Sequence, residues 1–312
     1  MGARWWINLG ALLLALAASQ ASFAAKTVWI DTDVSIGSPI READDGFALV
    51  AAFHSPELRI AGISTTYGNA SLAYVDRTAR EIAQRFGKSA NLSARDVYAG
   101  ASSAGDLARP SAAADALAAA VDRRRIIYIA LGPLTNLATA LKLHPQIRSR
   151  IERIVFVGGV HSPNETRFGA GNWLRVHDAN VFKDPAAAAV VLRSKIPILL
   201  VPISVAGRLT LNREDLGRLR ASDPAGSYLA HKSAWWSAFW LNFVRSPGAP
   251  VFDALALMAA ARPELVRSEN QEAYLNSDRA LIVTNGRPDH VRCCKGYQAR
   301  TKELLMRRLL AR

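Results

Sequence analysis

The stretch Val28-Trp29-Ile30-Asp31-Thr32-Asp33 ends an apolar run in two aspartates, and Asp44-Asp45-Gly46-Phe47-Ala48-Leu49 opens a helical pattern further on. We expect a strand that ends in carboxylates and a helix that begins with them. Two carboxylates about 4 Å apart repel by about 4 kcal/mol at an effective dielectric near 20. Either some are protonated or a cation lies among them, and both outcomes predict a functional site.

Apolar runs that resemble strands alternate along the chain with helical patterns. Strands are predicted over 28–30, 58–64, 126–131, 154–157 and 196–203, and helices over 44–54, 73–86, 134–143 and 185–193. The strands lack period-two alternation, so both of their faces should be covered. This order predicts an α/β fold with an open, mostly parallel sheet flanked by helices, in which ligands bind at the carboxyl ends of the strands. Residues 213–261 are helical and rich in Trp, and no linker separates them, which favours a single domain.

The amino-terminal segment is typical of a secretory signal peptide. Arg4 supplies the positive start, residues 11–18 form a short apolar core, and Ser22-Phe23-Ala24 is a small-x-small cleavage signal. We therefore predict a signal peptide over 1–24, a mature domain over 25–312, and a periplasmic or secreted location. An uncleaved membrane anchor is the alternative, but the apolar run is shorter than the about 20 residues that span a bilayer.

The distribution of charge along the chain bears on whether the protein binds nucleic acid. The formal net charge is +13, but the basic residues are dispersed, and the densest group is Arg123-Arg124-Arg125. We expect solvated faces and no nucleic-acid partner.

The two cysteines, Cys293 and Cys294, are adjacent, and neighbouring Cα atoms lie about 3.8 Å apart where a disulfide prefers about 5.5 Å. A vicinal disulfide would be strained, so the cysteines predict no disulfide framework.

Two further positions have both a structural and a functional interpretation. Thr135 lies in Leu131-Gly132-Pro133-Leu134-Thr135-Asn136, which follows a strand and opens a helix, so it is either a helix cap or part of the strand-end crevice. Asp253 lies at the start of an apolar helix and is either a cap or a ligand. Taken with the aspartate cluster, hard oxygen ligands without His or Cys suit Ca²⁺ or Mg²⁺.

Polar and aromatic side chains suited to a substrate follow later in the chain. Asn172, Asp178 and Asn180 offer donors and acceptors for sugar hydroxyls, and the last two would share a face if this segment is extended. Ordinary loop polarity is the alternative. Trp236 and Trp240 share one helical face, where they either belong to the core or form a wall for a flat heterocycle.

These motifs, in this order, resemble the inosine-uridine-preferring nucleoside hydrolase family. The stretches 62–69, 97–101 and 132–138 resemble the family's own, and the likeness runs over 26–263. The resemblance implies a single-domain, nucleoside-hydrolase-like fold and one tightly held Ca²⁺. It also implies hydrolysis of the N-glycosidic bond of small-molecule ribonucleosides, with inversion.

The resemblance also implies roles for individual residues. The implied Ca²⁺ ligands are Asp33, Asp45, Asp253 and, through its backbone carbonyl, Thr135. Asp44 resembles the general base that takes a proton from the metal-bound water, Asn69 would lie near that water, and Asp31 is left as support. The implied ribose-binding residues are Asn172, Asp178 and Asn180, and the implied base-contacting aromatics are Trp236 and Trp240.

The chain departs from the family pattern at three places. Ten residues, 34–43, separate Asp33 from Asp44 where the family usually has three. Asp178 replaces an expected Glu, and Phe252 stands where many members carry a His that protonates the leaving base. His161 and His177 are loop candidates for that acid, although surface histidines are the commoner case. The large indoles favour a purine substrate.

Two other functions remain open from the sequence. The lengthened loop could have disabled hydrolysis and left an exported nucleoside-binding protein. Asp-x-Asp after an apolar strand also resembles the start of haloacid-dehalogenase-like phosphatases, although we find no convincing acidic pair after a later strand. Assembly into a homo-oligomer is also left open.

Overall fold

A central eight-stranded sheet organises the chain in this computed structural model, which describes residues 24–311 except 40, 162–165, 223 and 287–288. The predicted signal peptide, apart from Ala24, lies outside the described residues. Among the described helices, none has the length and apolar character needed to cross a membrane.

The strands of the central sheet are β1 (Lys26–Thr32), β2 (Leu58–Thr65), β3 (Val97–Ala99), β4 (Ile126–Ala130), β5 (Ile151–Val157), β8 (Ile198–Val201), β11 (Val266–Asn270) and β14 (Val291–Tyr297). Three two-stranded ribbons are formed by β6 (Arg167–Phe168) with β7 (Leu174–Arg175), β9 (Thr210–Leu211) with β10 (Ala249–Pro250), and β12 (Glu272–Leu275) with β13 (Leu281–Thr284).

The α-helices are α1 (Asp44–Phe53), α2 (Leu72–Phe86), α3 (Ala112–Arg123), α4 (Thr135–Leu143), α5 (Ala179–Lys183), α6 (Pro185–Arg193), α7 (Ile203–Ala206), α8 (Arg213–Arg220), α9 (Pro224–Lys232), α10 (Ala234–Ala238), α11 (Phe252–Ala261) and α12 (Arg300–Leu309). A π-helical turn, Phe239–Phe243, follows α10.

The sheet order is β11-β14-β8-β5-β4-β1-β2-β3, with β11 antiparallel to β14 and every other neighbouring pair parallel. Buried apolar clusters lie on both faces. The predicted open, mostly parallel, single-domain α/β fold is therefore confirmed. The predicted strand over 196–203 was too long, because Pro202 ends it and α7 begins at Ile203.

The carboxyl-terminal region adds two strands to the sheet that the sequence pattern did not predict. Strand β14 lies between β8 and β11, and it contains both cysteines. Cys293 packs into the cluster on one face and Cys294 into the cluster on the other, because successive strand residues point to opposite faces. The two thiols are consequently not joined in a disulfide.

Gly62 of β2 packs against Trp29 of β1, so a substitution at Gly62 tests the packing between these two strands. A Cβ added at Gly62 would lie 2.4 Å from Cζ3 of the buried Trp29 ring. Because overpacking a core costs about 1–3 kcal/mol, we expect Gly62→Ala to lower the free energy of unfolding by that amount in urea titrations.

Gly217→Ala is the matched control for this substitution. Gly217 lies inside α8 with no atom within 4 Å of an added Cβ, and alanine stabilises a helix interior by about 0.5–1 kcal/mol over glycine. Equal effects of the two substitutions would contradict the packing argument.

Candidate active site

Asp31 faces into the protein and supports the strand end. Its Oδ1 accepts hydrogen bonds from Ser64 Oγ at 2.5 Å and from Asn136 Nδ2 at 2.8 Å, which link β1 to β2 and α4. Burial raises the pKa of Asp31 to about 6, and the hydrogen bonds of Ser64 and Asn136 oppose that shift. These contacts are consistent with the supporting role expected from the sequence.

Asp33 lies beside the loop that follows β2. Its Oδ2 accepts a hydrogen bond from the backbone N–H of Asn69 at 2.8 Å, and its Oδ1 lies 3.5 Å from Asn69 Nδ2. The approach is close enough that a Cβ at Gly68 would lie 1.8 Å from Asp33 Oδ2. The structure therefore places Asn69 next to Asp33, and it explains why glycine precedes Asn69.

Three carboxylates from two helix starts meet at the carboxyl edge of the sheet. Asp44 and Asp45 lie in the first turn of α1, Asp253 lies in the first turn of α11, and one oxygen from each lies within 4.8 Å of the others. All three are buried. The hydroxyl of Thr32 donates a hydrogen bond to Asp45 Oδ1 and fixes that side chain against β1. Both helix dipoles favour negative charge at this point.

Burial makes this charge costly. It raises the pKa of Asp44 and of Asp253 well above the ordinary value, and the neighbouring carboxylates add to both shifts. Within the described chain, Oδ1 of Asp44 and Oδ2 of Asp45 have no hydrogen-bond partner. Buried oxygens without donors, grouped without His or Cys, fit a hard divalent cation such as Ca²⁺.

The membership of this group differs from the one expected. The sequence predicts Asp33, Asp45 and Asp253 as ligands and Asp44 as the base, whereas the structure groups Asp44 with Asp45 and Asp253. Asp33 is nevertheless a near neighbour, because its charge contributes to the raised pKa of Asp253.

Thr135 is the fourth predicted ligand, and it lies at the start of α4, fully buried. Its side chain is committed to the structure, since Oγ1 donates to Asp184 Oδ2 at 2.6 Å. That leaves only the backbone carbonyl for the predicted ligation, which stays a prediction.

Glu42 is a residue of this site that sequence reasoning missed. It stands one residue before the end of the long loop of residues 34–43. Burial raises the pKa of its carboxyl, and the nearby Asn69 side chain opposes that rise. Burial is the largest cause of the raised pKa of Asp44, and the charge of Glu42 is the second largest. A glutamate in a long loop is normally solvated, so only its position two residues before Asp44 could have indicated this location.

The long loop itself is anchored away from the carboxylates. Tyr74 Oη of α2 donates to the carbonyl of Ile36 at 3.3 Å, and Gly37 N donates to the carbonyl of Lys232 at 3.1 Å. Ser35 Oγ closes the base of the loop by donating to the Glu42 carbonyl at 2.7 Å. The loop is therefore held both at its base and at its outer part, and α1 begins at Asp44 as expected.

Asp178 caps a helix, and the expectation of an extended segment here was wrong. Its Oδ1 accepts a hydrogen bond from Val181 N at 3.2 Å and caps α5, while its Oδ2 accepts from Gly159 N at 2.7 Å. An aspartate before a helix satisfies free N–H groups, which explains why this short segment turns. Both carboxylate oxygens are thus engaged with the backbone.

Asn180 lies inside α5 and ties two strand ends together. Its Nδ2 donates to the carbonyls of Leu131 at 2.8 Å and Val157 at 3.0 Å, which follow β4 and end β5. Burial raises the pKa values of Asp33 and Glu42, and Lys183, in the last turn of α5, opposes both rises; it is a second residue that sequence reasoning missed. Asn172 lies apart from these contacts, exposed in a turn where its N–H donates to Gly169 O.

Trp236 and Trp240 belong to an aromatic cluster in the core. Trp236 Nε1 donates to Pro250 O at 2.9 Å, and the two indoles meet edge to face with centroids 5.5 Å apart. Trp240 is 1% exposed and also packs on Phe168 and Phe252. Because both indoles are buried in this cluster, their size no longer argues for a purine substrate.

The position expected to protonate the leaving base has no acid. Phe252 is buried against Phe168 and Trp240. His161 faces elsewhere, with its Nε2 at 2.6 Å from Lys295 Nζ and 3.0 Å from Gln271 Oε1, and His177 is exposed.

Comparisons with known proteins identify the family of this chain. Residues 28–296 match the family model described as inosine-uridine preferring nucleoside hydrolase. The chain is 30% identical to uridine nucleosidase 1 of Arabidopsis thaliana over 263 residues, which cover 76% of this chain and 74% of that protein. It is also 30% identical over 255 residues to the pyrimidine-specific ribonucleoside hydrolase RihA of Escherichia coli, covering 71% and 77%.

Solved structures show the same fold. A plant nucleoside hydrolase superposes with a TM-score of 0.77 at 24% identity, over 92% of this chain and 100% of that one. The purine-preferring ribonucleoside hydrolase of Gardnerella vaginalis superposes with a TM-score of 0.75 at 24% identity, over 91% and 98%. The chain belongs to the inosine-uridine preferring nucleoside hydrolase family, glycosidases that act on N-glycosidic bonds.

Proposed function

We propose that this protein is a metal-dependent ribonucleoside hydrolase that uses Ca²⁺ to release the free base from ribose. The observation that carries the proposal is the meeting of Asp44, Asp45 and Asp253, all buried, at the carboxyl edge of the sheet. Because the chain belongs to the nucleoside hydrolase family, the haloacid-dehalogenase-like phosphatase is no longer an alternative. A nucleoside-binding protein without turnover is the remaining rival.

Asp45 and Asp253 would hold the cation, together with Asp33 and the backbone carbonyl of Thr135. The cation, when bound, would lower the pKa of a nearby water molecule. Asp44 is proposed as the base that accepts the proton from that water. Its Oδ1 has no hydrogen-bond partner among the described residues, so this oxygen is free to accept the proton.

The residues around the carboxylates would orient the sugar and exclude solvent. Asn69 is held by Asp33, and Asn180 is fixed by two strand-end carbonyls, so both side chains are preorganised. Because Phe252 cannot donate a proton, the leaving base must obtain its proton from a different group. Purine preference stays a prediction, and the relatives named above include both pyrimidine-specific and purine-preferring enzymes.

The first prediction concerns turnover. The mature protein with Ca²⁺ should release free base from inosine, adenosine, guanosine, uridine or cytidine, and a chelator should abolish the release. Asp44→Asn should lower kcat by about 10²–10⁴, the usual contribution of a general base. Base release is measured by chromatography, and Ca²⁺ affinity by calorimetry on the same samples.

Asp33→Asn is the matched control, because it removes one charge from the same site. The proposal expects Asp33→Asn to weaken Ca²⁺ binding and Asp44→Asn to leave that affinity largely intact. If Asp44→Asn weakened Ca²⁺ binding and Asp33→Asn left it intact, Asp44 would be the ligand and Asp33 the base. Tight nucleoside binding with no base release from any of the five substrates would establish the rival function.

The second prediction concerns stability. Asp33, Asp44, Asp45 and Asp253 have raised pKa values in the folded protein, so without metal the folded state binds more protons than the unfolded state above about pH 4. In chelator, Tm should therefore fall as pH rises from about 4 toward 8. Ca²⁺ binds the ionised carboxylates, so the Tm gain on adding it should grow with pH.

Ca²⁺ at about 100 times its Kd should add about 2.7 kcal/mol to the free energy of unfolding. Asp253→Asn, which removes one of the three grouped carboxylates, should reduce the gain. A Ca²⁺ effect that is the same at pH 5 and pH 8 would contradict metal binding at these carboxylates.

We also propose that the protein is exported and that its mature chain begins at Ala25, because residues 11–18 and Ser22-Phe23-Ala24 are typical of a cleaved leader. Intact-mass analysis of protein expressed from the full gene in a bacterial host should give a chain that lacks residues 1–24. Full-length protein in the membrane fraction would indicate the uncleaved anchor instead.

A further inference from the structure

A basic groove lies at the edge of the sheet opposite the carboxylates. It encloses about 670 Å³ and is formed where β5 and β8 begin, between β11 and the segment that leads into β14. Pockets that hold small molecules measure about 300–1,000 Å³. The groove is therefore large enough for a sugar phosphate, and it is separate from the site described above.

Strand register explains why basic side chains converge there. Val155, Leu199 and Arg292 are cross-strand neighbours, so their side chains share one face of the sheet. Two residues before them on the same face stand Arg153, Pro197 and His290. Near their amino ends these strands carry arginine and histidine on a face that is apolar further along.

Several basic side chains of the groove have nitrogens without a protein partner among the described residues. In the described part of the chain, the buried Nε of Arg153 and Nε2 of His290 have no hydrogen-bond partner. Arg292 uses Nε and Nη2 on Ser268, at 3.2 and 3.0 Å. No ion pair within the described residues involves Arg153, Arg267 or Arg292.

The acidic side chain that lines the groove is already paired. Asp289 is bonded by Lys195 Nζ, and its Oδ2 lies 3.0 Å from His290 Nδ1. The groove thus presents three guanidinium groups and an imidazole without a matching number of carboxylates. Guanidinium groups bind phosphate with paired, charge-assisted hydrogen bonds.

We propose that this groove binds a small phosphate-bearing molecule, with Arg153, Arg267 and Arg292 as its principal contacts. The proposal is independent of the hydrolase function, because the groove and the carboxylates lie at opposite edges of the sheet. Inorganic phosphate and ribose 5-phosphate serve as probes that separate recognition of the anion from recognition of the sugar.

The test is calorimetric titration of the mature protein with each probe at constant ionic strength. We expect saturable binding that the double variant Arg153→Gln/Arg292→Gln weakens about tenfold or more, since each charged hydrogen bond contributes about 1.5–3 kcal/mol. Arg267→Gln, at an exposed residue without a described ion pair, provides a second variant whose folding is not at risk. Arg124→Gln, exposed and outside the groove, should change nothing.

Nucleoside hydrolysis should be unchanged in all these variants, which separates this proposal from the proposed function. The proposal is overturned if neither probe binds saturably, or if the groove variants bind as tightly as the control. It is also overturned if Arg267→Glu changes the oligomeric state in light scattering, which would show that a second copy covers the groove. Tight binding of RNA oligomers with no binding of either probe would identify a different ligand and would equally contradict it.

Discussion

The need to hold several carboxylates together in a buried place governs this structure. Like charges in a low-dielectric interior repel, and burial is the largest cause of the raised pKa values of Asp33, Asp44, Asp45 and Asp253. The fold answers with two helix starts, a threonine hydroxyl and a backbone amide directed at the group. These donors leave Oδ1 of Asp44 and Oδ2 of Asp45 without a hydrogen bond among the described residues, so both oxygens are available to a cation.

The sheet follows from sequence patterns because burial on both faces selects a continuous apolar run. Strand β4 is such a run throughout, and β1 and β5 contain such runs over 28–30 and 154–157. The polar residues that the site uses follow the carboxyl ends of these strands. The location of Asp33, Asp44, Asp45, Asp253 and Asn69 at one edge was therefore predictable. Strands β11 and β14 were not, because β14 contains Arg292 and Lys295 among its apolar positions and lacks that pattern.

The roles of individual side chains were harder to predict than their places in the fold. A polar side chain forms hydrogen bonds with whichever partner the fold brings near, and the sequence does not name that partner. Asp178 and Asn180 lie close to the strand ends, but Asp178 caps α5 and Asn180 bridges two carbonyls. Trp236 and Trp240 share a face, as their spacing predicted, but that face is turned into the core. Glu42 and Lys183 act on the carboxylates through space, which sequence spacing does not encode.

The long loop between Asp33 and Asp44 is supported separately at its middle and at its two ends. Its outer part is fastened to Tyr74 and Lys232, while its two ends are set independently by β1 and α1. A substitution at the exposed Pro39 therefore leaves the aspartates at either end in place, whereas a substitution at Glu42 changes the charge beside Asp44. The tip of the loop can thus vary while the carboxylates stay in place, and its last residues cannot.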